Sequence, residues 1–290
     1  MISRAMDQGR TLRLMTAMHR LSGGALTAGL RSMAVTSGKG GVGKTNVVAN
    51  LAFLLGEMGN RVLVLDADMG LANIDVLLGI TPRYTLRDFL EGRCTIEEVL
   101  VQGPGGMSIL PAGSGVVELT HLQPDQRLSL LNEINALGSK YDLLLIDTAA
   151  GVSPNVVHFN ALAEEIIVLV TPEPTSLTDA YALIKVMFTR HRRRRFFVLI
   201  NEARNEEEGR QVFCGLNGVV ERFLHFSLME LGCLPKDPCV PRAVKSQRPF
   251  VEEYPHCRAA QKLREVAQRI RNLPARRGGE GEYAFFSPYA

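Results

Sequence analysis

Short apolar runs separated by stretches of helical periodicity begin at Arg31 and continue almost to the end of the chain. The runs MAVTS (33–37), RVLVLD (61–66), MSILP (107–111), DLLLID (142–147), EIIVLVT (165–171), FFVLIN (196–201) and ELGCLP (230–235) predict seven strands. Segments 46–57, 124–137, 154–163, 177–188 and 206–223 lie between them and predict helices. Strands alternating with helices predict an α/β domain, a doubly wound and mostly parallel sheet over residues 31–274. Near its end Leu263, Val266, Ile270 and Leu273 recur at i, i+3, i+7 and i+10, a stripe that packs a last helix on the domain before Pro274 stops it. Residues 1–30, with the glycines of LSGGALTAGL, read as an appendage, and 275–290, ARRGGEGEYAFFSPYA, as a flexible tail with an aromatic tip.

Composition narrows the class without naming a chemistry. The chain has 290 residues, 46% of them hydrophobic and 22% charged, which is ordinary for a globular protein. No apolar run approaches the roughly 18 residues of a membrane span, and the N-terminus lacks the apolar stretch of a secretory signal, so a cytoplasmic location is expected. Cys94, Cys214, Cys233, Cys239 and Cys257 are widely spaced with no Cys-x-x-Cys pair; they read as reduced packing residues, with neither a disulfide framework nor a zinc site indicated. A net charge of +3 does not demand nucleic acid as a partner.

The chemistry begins in SGKGGVGKT. Gly38, Gly43, Lys44 and Thr45 fit G-x-x-x-x-G-K-[ST], placed after a predicted strand and before a predicted helix as a phosphate loop requires. Glycines let Gly38, Lys39, Gly40, Gly41, Val42 and Gly43 wrap closely, so that backbone N–H groups and the following helix N-terminus face phosphate. Lys44 neutralises charge, and Thr45 can coordinate magnesium. Such a loop needs carboxylates at neighbouring strand ends, because phosphoryl transfer is catalysed by positioning and electrostatics. Asp147 ends DLLLID and reads as the Walker B aspartate, holding magnesium through water; Asp66 and Asp68 of LDADMG end the strand after the first helix. Ser139, Lys140, Tyr141 and Asp142 are the nearest approach to a guanine-reading [NT]-K-x-D stretch, but lie on the wrong side of the Walker B strand. ATP is therefore favoured over GTP.

GKGGVGKT with its early Lys39, DADMG after the next strand, and LLLIDTAAG together resemble the deviant Walker A ATPases of the MinD/ParA class, over residues 33–273. The resemblance implies that Lys39 reaches phosphates in the partner subunit of a nucleotide-sandwich homodimer, making ATP binding and dimerisation one event. It further implies that Lys39, Lys44 and Asp68 serve catalysis, Asp68 by positioning the attacking water. Asp66 would support the magnesium shell that Thr45 and Asp147 also serve, and residues 148–151 would sense the γ-phosphate. Asn46 closes the phosphate loop; Asn201, Pro235 and Asp237 would flank adenine. No cysteine lies between Cys94 and Cys214, which sets aside the iron-sulfur relatives.

Within this class DQGRTLR (7–13) resembles the D-Q-A-x-x-L-R motif of flagellar-number regulators, the FlhG/FleN/YlxH group, and implies that Asp7, Gln8, Leu12 and Arg13 stimulate the flagellar signal-recognition-type GTPase FlhF. Gly9 replaces the motif's alanine, weakening a helix by about 1 kcal/mol. From seven residues alone, a frayed terminus is the other reading. TPEPTSLTDAYALIKV (171–186), TAAG after the Walker B aspartate and NEARNEEEG (201–209) resemble the same group. A flagellar transcriptional regulator or basal-body component is the further partner implied. RHRRRRF (190–196) reads as a solvated loop or as a nonspecific DNA surface, with DNA the less favoured partner. Arg276 and Arg277, then Tyr283, Phe285, Phe286 and Tyr289, set charge before aromatics for reversible membrane contact, while Gly278, Gly279, Gly281 and Pro288 oppose a continuous helix. The rival functions are a MinD- or ParA-like positioner of division proteins or DNA and a metabolic P-loop kinase.

Overall fold

A computed structural model describes residues 30–68, 73–113 and 124–274. The segment bearing Asp7, Gln8, Leu12 and Arg13, the 275–290 tail, and Met69 and Gly70 of DADMG lie outside the described residues. The described residues form eight strands: β1 (Arg31–Ser37), β2 (Val62–Ala67), β3 (Val101–Gln102), β4 (Ser108–Leu110), β5 (Leu143–Ala150), β6 (Glu165–Val170), β7 (Phe196–Ala203) and β8 (Met229–Pro235). They make one sheet of order β3-β4-β2-β5-β1-β6-β7-β8, parallel throughout except where β3 runs antiparallel to β4. All seven predicted strands are present; β3 is the addition, too short at two residues to show a period.

Six longer helices cover the faces: α1 (Lys44–Glu57), α2 (Pro124–Leu137), α3 (Pro154–Leu162), α4 (Pro174–His191), α5 (Glu206–Leu224) and α6 (Arg258–Asn272). Alternation along the strands decides which helix each residue meets. Met33, Val35, Val64 and Leu145 pack with α1 and α6. Their neighbours Ala34, Leu63, Leu65, Leu144 and Ile146 point to the opposite face with α2 and α3, and Ile166, Val168 and Val198 meet α4 and α5 there. Strands buried on both sides explain the unbroken Val/Ile/Leu runs. The predicted stripe on α6 is buried at Leu263, Val266 and Ile270, and the helix ends before Pro274 as expected.

Several boundaries differ from the expectation, each for a local reason. α1 begins two residues early because Gly43, the N-cap at φ 91°, turns the chain directly into the helix at Lys44. α4 begins at Pro174, whose fixed φ and missing N–H suit a first helical position. β5 continues past Asp147 to Ala150, since the Thr148 hydroxyl donates to the Val35 carbonyl at 3.1 Å and holds the segment on β1. Short helices at Cys239–Lys245 and Phe250–Glu253 fill the stretch before α6.

Glu165, almost fully buried at the start of β6, accepts from Arg31 at 2.6 and 2.8 Å and lies 3.3 Å from Arg195. Arg195 also lies over the Phe197 ring, and Arg194 over that of Phe188. The arginine run is thus partly structural at its C-terminal end. Arg31 also donates to the Ile270 carbonyl at 2.6 Å, tying the first strand to the last helix.

Candidate functional site

Parallel register brings the predicted carboxylates to one edge. Asp66 on β2 is the direct register partner of Asp147 on β5, which in turn pairs with Val35 on β1. β1 is where successive strands begin to be added on the other side, so the loop after it opens at the switch point of the sheet, the position where open α/β sheets bind ligands. The phosphate loop, 38–43, leads from this strand end into α1.

Two close approaches shape the loop. A Cβ on Gly38 would sit 2.1 Å from the backbone carbonyl carbon of Asp179, so the loop rests against the α4 backbone with no room for a side chain. A Cβ on Gly43 would meet the Asn201 amide at 2.7 Å, and that amide donates to the Val42 carbonyl at 2.9 Å. Asn201 thus braces the loop directly, alongside the adenine role inferred for it. The Ser37 hydroxyl donates to the Lys39 carbonyl at 2.7 Å, and Gly151 N–H donates to the Ser37 carbonyl at 2.9 Å, binding the 148–151 segment to the loop's start. Asn46 accepts twice from Asn50 within the first turns of α1.

The two lysines have opposite surroundings. Lys44 is buried at 9% exposure; desolvation lowers its pKa, against the attraction of Asp147 and Asp68. Lys39 is more than a third exposed and makes an ion pair with Glu173, with the Thr175 hydroxyl 3.2 Å away. One lysine faces the acids of its own site, and the other stands at its rim.

The carboxyl groups are poorly compensated. Burial raises Asp147 to about 7, against a hydrogen bond from Thr45 and the charge of Lys44. Burial, then the neighbouring Asp147, raises Asp66 well above the usual carboxylate range, although it accepts the Asp68 N–H at 3.1 Å. Asp66 Oδ2 and Asp147 Oδ1 are buried without a hydrogen-bond partner. Two adjacent buried acids with orphaned oxygens, beside a threonine hydroxyl and a buried lysine, fit a magnesium-bound phosphate: the cation supplies the positive charge these acids lack.

Pro235 ends β8, and Lys236 N–H donates to the Ala203 carbonyl at 2.9 Å, placing this loop next to the end of β7 and Asn201. The Asp237 carboxylate is engaged internally, accepting the N–H of Cys239 at 2.9 Å and of Ala259 at 3.2 Å. Sequence reasoning missed two residues, Glu173 and Thr175, that hold Lys39. Both lie in the TPEPTS stretch, more than 130 positions from Lys39, which only the β6-to-α4 turn brings close.

Comparison with known proteins agrees with this arrangement. The protein family described as "AAA domain" matches residues 30–196, more than half of the chain. The chain is 46% identical over 254 residues to Antiactivator FleN of Pseudomonas aeruginosa, covering 88% of this chain and 91% of that protein. It is 30% identical over 240 residues to the flagellum site-determining protein YlxH of Helicobacter pylori, covering 81% and 80% of the two chains. Among solved structures, the septum site-determining protein MinD of Pyrococcus horikoshii, complexed with Mg-ADP, superimposes with a TM-score of 0.69 at 28% identity over 84% of this chain and 97% of that one. With the phosphate loop, the paired strand-end aspartates and the early lysine on one sheet edge, the chain belongs to the MinD/ParA-type ATPases, in the FlhG/FleN/YlxH group.

Proposed function

We propose that this ATPase is a slow, ATP-dependent dimerising switch that regulates flagellar number or placement. The observation that carries the switch is the division of labour between the lysines: Lys44 is buried beside Asp147 and Asp68, whereas Lys39 stands exposed at the rim on Glu173. A cation held outside its own site is free to exchange Glu173 for phosphates across a dimer interface. In this reading Lys44 and the loop amides bind the phosphates, Thr45, Asp66 and Asp147 hold magnesium, and Asp68 orients water for hydrolysis. Magnesium supplies charge neutralisation at the phosphates. Asn201 and Pro235 flank adenine, with the carboxylate of Asp237 turned to the protein.

The names borne by FleN and YlxH support the flagellar cargo. The DQGRTLR segment then acts on FlhF, the ATP-bound dimer meets a flagellar regulator or basal-body component, and the tail makes reversible contact with membrane.

Light scattering after size-exclusion chromatography tests the switch. With ATP and magnesium the wild type is expected as a dimer, Lys39→Ala as a nucleotide-bound monomer, and Asp68→Ala as a persistent dimer. A Lys39→Ala protein that dimerises like wild type overturns the mechanism. A peptide of residues 1–20 tests the cargo: it should raise GTP turnover by FlhF, and a Gln8→Ala, Leu12→Ala peptide should not. No stimulation of a demonstrably active GTPase returns the cargo to the division proteins and DNA handled by other members of the class.

A further inference from the structure

The turn after β8 and the turn before α6 bring three chemically related side chains together, well separated from one another in sequence. Cys239 begins the short helix Cys239–Lys245, and Cys257 is the N-cap of α6. Asp237 lies between them in space. One carboxylate oxygen of Asp237 and the sulfurs of Cys239 and Cys257 all lie within 4.8 Å of one another, and all three residues are partly exposed.

We propose that Asp237, Cys239 and Cys257 form a binding site for a thiophilic divalent cation, zinc being the biological candidate. The donor set is two sulfurs and one carboxylate oxygen, the soft-plus-hard mixture that suits zinc, with a fourth tetrahedral position left to water. Tetrahedral zinc separates its sulfur ligands by about 3.8 Å. Sulfur and oxygen ligands lie about 3.5 Å apart on the same ion, so the three atoms, all within 4.8 Å of one another, need to close by no more than about 1.3 Å.

Charge balance favours the same conclusion. Both sulfurs and an Asp237 carboxylate oxygen lie within 4.8 Å of one another. A divalent cation entering the triangle displaces the two thiol protons, so two positive charges leave and two arrive. The cluster keeps its net charge, and the lone carboxylate gains a direct counterion. Metal ligands also need outer hydrogen bonds to fix their orientation. Those are already present: Ala260 N–H donates to Cys257 Sγ at 3.4 Å, Ala259 N–H to Asp237 Oδ2 at 3.2 Å, and Cys239 N–H to Asp237 Oδ1 at 2.9 Å. Two of these donors belong to the first turn of α6; burial nonetheless pushes the Cys257 thiol up to about 11, so its proton leaves only in exchange for the cation. The cation would pin the loop that follows Pro235 to the start of α6. The proposal does not depend on the dimer switch.

Cobalt(II) titration of the full-length, reduced protein tests the site, because a cobalt–thiolate bond gives a charge-transfer band in the near ultraviolet and tetrahedral cobalt gives intense visible bands. One equivalent per chain is expected to develop both, and zinc(II) is expected to abolish them by displacement. Cys239→Ala and Cys257→Ser should each weaken binding roughly tenfold or more. The exposed Cys214, outside the cluster, serves as control, and Cys214→Ala should titrate like wild type. Cys257→Ser retains an N-cap oxygen for α6, and Cys239→Ala makes the same test without touching that cap, so a folding failure in one leaves the other decisive. Absence of the charge-transfer band overturns the proposal, as does a titration midpoint that neither substitution moves. A Cys239–Cys257 disulfide in the purified protein that, once reduced, binds no cobalt also overturns it and makes the pair a redox couple instead.

Discussion

Replacing Asp147 by asparagine tests whether the magnesium edge is held in an electrostatically unfavourable state before nucleotide arrives. The carboxyl group is buried and its pKa is raised from 3.8 to about 7, chiefly by desolvation. A raised acid in the folded state means that the native protein holds a proton the unfolded chain has released. Stability is therefore lost as pH climbs from 3.8 toward 7 and is level above that. At about 1.4 kcal/mol per pH unit, the full loss is about 4 kcal/mol, of which about 2 kcal/mol falls between pH 5 and pH 7, because the native group is itself half titrated near 7. The substituted amide keeps the shape and does not titrate. The hydrogen bond from Thr45 favours the ionised form, and its effect is already contained in the value of about 7. Urea unfolding of the nucleotide-free protein across this range should show the Asp147→Asn variant gaining on wild type by about 2 kcal/mol from pH 5 to pH 7, then levelling off. Removal of the charge also lowers the pKa of Asp66, which Asp147 helps to raise, adding to the gain in the same direction. Parallel curves for the two proteins throughout would refute the reasoning. The same variant should lose magnesium-dependent nucleotide affinity, so stability and function move in opposite directions at one atom.

Three further outcomes rest on packing and charge. Gly38→Ala places a methyl 2.1 Å from the Asp179 backbone, so the loop must shift; unfolding experiments should show a loss of about 1–3 kcal/mol together with weakened nucleotide binding in a fluorescence titration. Glu165→Gln leaves Arg31 and Arg195 without their shared carboxylate and should cost about 3 kcal/mol in urea unfolding. Arg195→Gln, at a side chain 38% exposed, should cost less than about 1 kcal/mol in the same assay.

The sheet was legible because its strands are buried on both faces and appear as dense apolar runs, and because Gly43, Lys44, Asp66 and Asp147 sit at fixed places relative to strand ends. What escaped was long-range or below the length of a period. β3 has two residues, and β5 continues through Thr148 only because a hydroxyl finds a carbonyl on β1. Glu173 and Thr175 around Lys39 follow from the path of the chain after β6, which no local pattern encodes. The cysteines read as unrelated packing residues because 17 residues lie between Cys239 and Cys257; two turns at the N-terminal ends of helices erase that distance.

Arg31 holding the Ile270 carbonyl has a consequence for the chain's two extensions. The described domain begins and ends at one corner, on the side of the sheet remote from the phosphate loop. The first 29 residues and the last 16 therefore join the domain at neighbouring points. The two ends of the described domain thus share one pole of the molecule, and the phosphate loop occupies the opposite one.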